Sequence, residues 1–407
     1  MMEKPVELPA ETLRRVCDPN SLDFATTADL PALSEVLGQP RAVAALELGT
    51  SIASHGFNLF ALGQAGSGKT TLIREYLERR AASQPVPADL CYVNNFSDAR
   101  RPIPLWLPAG EAVRLKNDVS ALVAELRTAI PRAFDAAEYT SQRDKIIQEL
   151  EEKRQNELAR LEQRVSEAGF QLLKGPGGLV LVPAVGGKLL TERDLEGLPP
   201  EDREKIARVR ERLQREIEER LRVIRELEKG ARDALRGLDT ETAAYATRHL
   251  MDDLRSRYHD RAEVLDYLEA LQKDVIAHAE DFRKGKETEA PPLPLPQLVA
   301  SAERMFARYQ VNVLVDNGSL KGAPVIVESN PTYHNLTGRI EHQATWGEVF
   351  TDHTMIKPGA LHRANGGYLI IPARECLLSP FAWEALKRAL KDRALRIEEL
   401  GAQLSLI

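Results

Sequence analysis

Gly63-Gln64-Ala65-Gly66-Ser67-Gly68-Lys69-Thr70-Thr71 fits the pattern G-x-x-x-x-G-K-[ST]. On its amino-terminal side, Phe57-Asn58-Leu59-Phe60-Ala61-Leu62 is a short apolar run that reads as a strand. On its other side, Thr71-Leu72-Ile73-Arg74-Glu75-Tyr76-Leu77 has helical spacing. Strand, loop and helix in that order are the context that gives a P-loop its meaning. Glycines let successive backbone N–H groups turn inward around phosphate oxygens, and the following helix presents its positive end to the same anion. Lys69 is expected to reach the β- and γ-phosphates of ATP or ADP, and the Thr70 hydroxyl to ligate magnesium. The competing reading, a glycine turn that happens to precede a lysine, explains neither the strand before it nor the helix after it.

Beyond the loop, Asp89-Leu90-Cys91-Tyr92-Val93 reads as a second strand, and the proline-rich Arg101 to Pro108 stretch as irregular surface chain. From about Ala112 to Lys286 the composition shifts to Glu, Arg, Leu and Lys, with apolar residues at three- and four-residue steps. Ile206, Val209, Leu213, Ile217, Leu221, Ile224 and Leu227 make the clearest stripe, which predicts long helices packed on one another. Within this region Gly169 to Leu173, the turn Gly175-Pro176-Gly177-Gly178, and Leu179 to Pro183 read as a β-hairpin with an apolar tip. Such a hairpin either caps the helices or offers an apolar patch to non-native polypeptide. Pro291-Pro292-Leu293-Pro294-Leu295-Pro296 is a stiff extended linker, after which strands are predicted at Val311–Val315, Pro324–Val327 and Tyr368–Ile371, and a helix at Trp383–Leu390. The expected fold is therefore an α/β P-loop core interrupted by a long all-α, coiled-coil-like arm with a β-hairpin. Its segments are 1–36 before the core, 37–111 as the first part of the core, 112–290 as the arm with the hairpin near 169–183, and 291–407 as the second part.

Composition limits the partners. The chain has 407 residues, room for more than one core, and a net charge of −6 spread without any basic block, so nucleic acid is a poor first partner. Cys17, Cys91 and Cys376 form no metal or disulfide spacing, which fits a reducing, cytoplasmic setting. No export signal or membrane-spanning run of roughly 20 apolar residues is visible.

Hydrolysis of a nucleotide needs an acidic group at the end of a strand near the P-loop. The natural candidate, Tyr368-Leu369-Ile370-Ile371, runs into Pro372-Ala373, with only Arg374-Glu375 beyond. The rival, Val313-Leu314-Val315-Asp316, ends in an aspartate but runs into the turn Asn317-Gly318-Ser319, so Asp316 is either the acidic partner or an ordinary turn residue.

Gly38-Gln39, the P-loop, the run Asn330-Pro331-Thr332-Tyr333-His334-Asn335-Leu336-Thr337-Gly338-Arg339-Ile340-Glu341-His342, then Thr351-Asp352-His353 and Gly359 to Leu369 together resemble the AAA+ module of the Lon-related proteases, closest to the archaeal, membrane-type Lon. The resemblance spans about Leu37 to Ile397, with the helical arm as the subgroup's insertion. It implies an AAA+ ring, a hexamer, that captures unfolded polypeptide and feeds it to a serine endopeptidase domain with a Ser-Lys dyad. It also implies that the family's sensor strand, arginine finger, helical lid and peptidase domain lie beyond Ile407, so that no catalytic residue of the protease falls within this sequence. The strand resembling the Walker B element carries Pro372-Ala373 in place of the family's Asp-Glu, which leaves nucleotide binding in expectation and hydrolysis in question.

His334, His342, His353 and His362 lie close in sequence but at no one-face helical spacing, so hydrogen bonding outweighs metal ligation. Tyr333, Trp346 and Phe350 are candidates for aromatic residues that touch substrate in a central pore. For Trp346, beside Gly347 on a loop, packing beneath its own loop is an equal reading. Two further function classes stand beside the protease module: a nucleotide-holding scaffold or chaperone-like module without catalysis, and, less favoured, a coiled-coil ATPase acting on DNA, which would need a signature helix and a basic surface.

Overall fold

The structure, a computed structural model, describes residues 7–14, 16–30, 39–52, 54, 56–64, 66–175, 178–185, 188–190, 197, 199–288, 305–345 and 348–398. The proline linker at 291–296 and the loop residue Trp346 lie outside them.

Helix α1, Pro40–Ser51, opens with proline at its first position, where the missing N–H is no loss, and α2, Lys69–Ala81, follows the P-loop. Between them the sequence predicts a strand at Phe57–Leu62, and the structure does not form one. The chain there is unladdered, and Phe57, Leu59, Phe60 and Leu62 are all exposed, Leu62 by 86%. A strand is stabilised by its neighbours rather than by its own propensity, and among the described residues none pairs with this run.

Strand β1, Asp89–Val93, does form, and it is the centre of a small sheet. Its antiparallel neighbour β2, Ile103–Leu107, corrects the expectation of irregular chain at 101–108. Leu105 and Leu107 are buried while Pro104 and Trp106 face out, so the strand alternates in period two, and its proline is tolerated because β2 is an edge strand.

The arm begins with α3, Glu111–Phe134, continues through α4, Ala137–Glu167, and reaches a hairpin of β3, Phe170–Gly175, and β4, Gly178–Val185, to which β5, Lys188–Leu189, adds a short third strand. It returns through α5, Pro200–Arg257, whose 58 residues extend about 87 Å at 1.5 Å per residue. Helices α6, Ala262–Ala277, and α7, Ala279–Thr288, close it. Tyr139 donates to Asp239 at 2.7 Å, Arg220 to Glu157 at 2.9 Å, and Arg164 meets Glu216, so α4 and α5 run antiparallel.

Two cores hold the arm. At its root, Leu115, Leu122, Leu126 and Ile130 of α3 pack with Met251 and Leu254 of α5 and with Leu268, Leu271 and Phe282, continuous with Cys91 and Val93 of β1. At its far end, Leu161 and Val165 pack with Leu213 and Ile217 and with Phe170 and Leu181 of the hairpin. The hairpin therefore does cap the helices. Its other face, with Leu173 opposite Val180, stays exposed.

Strand β6, Asn312–Val315, pairs antiparallel with β1 on the side away from β2. β7, Val325–Val327, pairs in parallel with β12, Tyr368–Ile370, in a separate two-stranded sheet. Between those two strands lie the short helix α8, Tyr333–Thr337, strand β8, Arg339–Ile340, a hairpin of β9, Gln343–Thr345, and β10, Glu348–Phe350, strand β11, Ile356–Lys357, paired with β8, and helix α9, Ala360–Arg363. Helices α10, Ala373–Leu378, and α11, Ala382–Asp392, end the described chain, packed with Leu336 and Ala360 in a third core.

Asp89 ties the arm to the sheet. It is fully buried, and its carboxylate accepts from the backbone N–H groups of Gly110 at 2.7 Å, Ala112 at 3.1 Å and Asn317 at 2.7 Å. It thus serves the first turn of α3 and the exit of β6 at once. Asp89→Asn turns one acceptor into a donor facing N–H groups, and is expected to destabilise the fold by about 2 kcal/mol, read as a lowered urea midpoint with unchanged slope.

Candidate nucleotide-binding site

The P-loop forms a glycine turn leading into a helix. Gly66 and Gly68 take φ of 77° and 78°, left-handed values at which a side chain would be strained. Gly68 is also the N-cap of α2, which has neither a side-chain cap nor an acidic residue in its first turn. The first-turn N–H groups of α2 are therefore left for an external acceptor.

Lys69 curls back over its own loop. Its Nζ donates to the carbonyl of Gly63 at 2.8 Å, to that of Gln64 at 2.5 Å, and lies 3.4 Å from Ser67 Oγ. Ser67 Oγ in turn donates to Gln64 at 2.8 Å. The ammonium thus sits at the mouth of the turn, held by exposed carbonyls that water can replace. Thr70 and Thr71 are exposed, and the Thr70 hydroxyl has no hydrogen-bond partner among the described residues. Ala65 lies outside the described residues. Left-handed glycines, an uncapped helix start, one cation and one unengaged hydroxyl fit a phosphate chain with a magnesium ion.

The body of α2 fixes where this loop sits. Its C-terminal end meets the beginnings of β7 and β12: Gln84 donates to the Tyr368 hydroxyl at 2.9 Å, Arg80 Nε to the same oxygen at 3.3 Å, and Ala323 N–H to the Ala81 carbonyl at 3.0 Å. Gly322 and Gly367 permit this, since a Cβ at Gly322 would strike the Ala81 backbone and one at Gly367 would strike Pro324. A helix whose C-terminus lies at the start of two parallel strands has its N-terminus, and here its P-loop, toward their carboxyl ends. Tyr368 was not singled out in the sequence; Gly366-Gly367 before it was the available signal of a close approach.

At that carboxyl end β12 passes through Ile371 to Pro372, which is the N-cap of α10, and Ala373 is its first residue. Glu375, in the first turn of α10, is half exposed and 3.9 Å from Arg374. Asp316 follows β6, which belongs to the β1 sheet rather than to the β7–β12 sheet beside α2. Its Oδ1 accepts from Gly318 N–H at 2.9 Å, closing a local turn.

Of the aromatic pore candidates, Tyr333 is corrected by the structure: only 4% exposed, it opens α8 with its ring edge-on to His334 and does not project outward. It lines a small pocket with Ala385, Arg388 and Ala389 of α11. Phe350 ends β10 and is partly buried, and Trp346 lies outside the described residues. Of the histidines, His353 and His362 take hydrogen-bonding roles, whereas the buried Nδ1 of His334 has no hydrogen-bond partner among the described residues. His362 Nδ1 accepts from Gly359 N–H at 3.1 Å, and burial pushes its pKa down to about 4. His353 Nε2 lies 2.6 Å from the Gln310 carbonyl and is likewise lowered by burial. No cluster of His, Cys, Asp or Glu among the described residues could hold a metal ion.

Two family models match the chain: a LonB-like AAA domain over residues 321–407 and a Lon-like LonC helical domain over residues 89–122. Over these residues the chain is similar to Lon-related AAA+ proteins. The first match takes in β7, α8, the β9–β10 hairpin and β12; the second takes in β1, β2 and the beginning of α3. The P-loop lies outside both, so its assignment rests on the motif and geometry above, while the AAA family supports an α/β P-loop fold and nucleotide binding for this Lon-related chain. A comparison with curated proteins gives no match. Among the described residues, no helix is long and apolar enough to cross a membrane.

Proposed function

We propose that this chain is the nucleotide-binding, substrate-capturing module of a Lon-like serine protease that degrades unfolded proteins. The observation that carries the nucleotide part is the uncapped start of α2, with Gly66 and Gly68 in left-handed conformation and Lys69 poised over the turn. Lys69 leaves the Gly63 and Gln64 carbonyls to neutralise the phosphate chain, and the first-turn N–H groups of α2 donate to it. Thr70 is placed to supply a magnesium ligand; a bound magnesium nucleotide would supply the negative charge that draws these groups together. The module acts in a ring of identical copies, a hexamer, in the cytoplasm, and the β9–β10 hairpin with Trp346 and Phe350 is its contact with polypeptide.

The arm supports the second half of this reading. A helical projection that ends in an apolar hairpin has no part in nucleotide chemistry, and Leu173 and Val180 form an exposed apolar pair at its far end. Residues 151–227 can be replaced by a short glycine-rich turn, because Tyr139 meets Asp239 and Glu157 meets Arg220, so α4 and α5 are adjacent there. The root core is left whole by that cut. The shortened chain is expected to bind a reduced and alkylated, permanently unfolded protein at least tenfold more weakly in fluorescence anisotropy, with ADP affinity unchanged. Equal affinity for the unfolded protein would refute capture by the arm.

A second reading is favoured by one observation, proline and alanine after β12. In it the nucleotide stiffens the module without being hydrolysed, and capture of polypeptide is the whole of the chain's work.

A further inference from the structure

The amino-terminal segment 7–30 contains three short 3-10 turns, Ala10–Leu13, Pro19–Ser21 and Thr27–Asp29, held by local hydrogen bonds. Thr12 donates to the Pro9 carbonyl at 2.7 Å, Asp18 accepts from Asn20 N–H at 3.0 Å, and Asp29 accepts from Thr26 N–H at 2.8 Å. None of the turns buries a residue, and Leu8, Leu13, Val16, Leu22 and Leu30 all face water. Ordering a backbone costs more entropy than a few exposed turn hydrogen bonds return. The segment is therefore stabilised once another surface covers its apolar side chains.

A second surface lies open in the same chain. Helices α10 and α11 bury Cys376, Ala382, Ala385 and Leu386. Away from that core, Leu377 and Leu378 are 61% and 68% exposed, and Trp383 and Leu390, seven residues apart and so on one helical face, are exposed as well. Phe381, just before α11, takes φ of 62°, a left-handed value that a bulky side chain rarely adopts, and its ring also meets solvent. Backbone outliers of that kind cluster where a surface is shaped for contact.

Charge and size match the two surfaces to each other. Residues 7–30 carry five carboxylates against two guanidinium groups, whereas residues 374–396 carry six cationic side chains against three carboxylates. Lys387 and Lys391 are exposed beside Trp383 on the face of α11, Lys387 Nζ lying 5.7 Å from the centre of the Trp383 ring. The 24 residues of the segment also match the roughly 20 to 30 that one side of a standard interface supplies. Both surfaces are open within one chain, so each is left for another copy. A contact between two different surfaces repeats head to tail, the arrangement that closes a ring. We propose that segment 7–30 docks through Leu13, Val16 and Leu22 on the α10–α11 face of a neighbouring copy of this chain. This contact rests on the ring reading above and supplies the link between its copies.

The test is sedimentation velocity on the full-length chain and two variants, one with Leu13→Ser and Val16→Ser, the other with Leu377→Ser and Leu378→Ser. All four side chains are exposed, so neither variant disturbs a core. The wild type is expected to sediment as an assembly and each variant alone as a monomer. An equal mixture of the two variants is expected to give a dimer and nothing larger, because one intact segment meets one intact face and both outer ends are defective. That dimer is a gain that a misfolded variant could not give. Assembly of either variant to the wild-type size, or a mixture that stays monomeric, overturns the docking while leaving the ring to other surfaces. Assembly of the segment variant alone, with the face variant monomeric, overturns it in favour of two faces meeting each other. A wild type that is monomeric throughout the micromolar range overturns the ring reading together with this contact.

Discussion

Lys69→Ala is expected to weaken ADP binding by one to two orders of magnitude while leaving the fold intact. The side chain is the only cation bonded within the glycine turn among the described residues, and hydrogen bonds from a charged donor are worth about 1.5 to 3 kcal/mol, which converts to roughly ten- to 150-fold in affinity. In the protein without nucleotide, Lys69 holds only the exposed carbonyls of Gly63 and Gln64, so its removal releases groups that water satisfies. Thermal unfolding of the variant should therefore lie within a few degrees of the wild type, and calorimetry in magnesium with ADP should show the loss. Wild-type affinity in the variant would mean that the uncapped start of α2 holds the phosphates alone, and absence of binding to the wild type at millimolar ADP would remove the nucleotide from the function.

Much of this arrangement is legible in the sequence because it is local. The Gly66 and Gly68 conformations follow from the motif, and the stripe through Leu213, Ile217 and Ile224 buries one face of α5 as its spacing requires. Gly175-Pro176-Gly177-Gly178 does separate two paired strands. The failures are non-local. Phe57 to Leu62 has the apolar content of a strand, but pairing depends on a neighbour that the run itself does not encode. At 103–107 the prolines obscured an alternation that was present, Leu105 and Leu107 inward with Trp106 outward. Asp89 reads as an ordinary strand-edge acid until Gly110 and Asn317 arrive at its oxygens from distant positions. Tyr333 shows the same limit, since an aromatic in a polar run is as compatible with a pore as with the buried place it takes.

Negligible ATP turnover is the second large effect expected, and its cause lies at the end of β12. Transfer of a phosphoryl group to water relies on positioned magnesium and on a group that orients or deprotonates the water; a general base alone contributes about 10² to 10⁴ in rate. The strand that runs parallel to β7 beside α2 delivers Pro372 and Ala373 at its carboxyl end. Neither side chain can ligand a metal or take a proton, and proline has no backbone N–H to offer instead. Asp316 belongs to the other sheet and has one carboxylate oxygen engaged with Gly318, and Glu375 points from the first turn of α10 beside Arg374. Steady-state phosphate release, measured with saturating unfolded protein, is therefore expected to match that of Lys69→Ala. Turnover near one per second that disappears in Lys69→Ala would overturn this expectation. Asp316→Asn would then locate the acid, because asparagine keeps the hydrogen bond to Gly318 while removing the charge: lost turnover would place Asp316 at the magnesium, and retained turnover would leave Glu375 as the group that swings in.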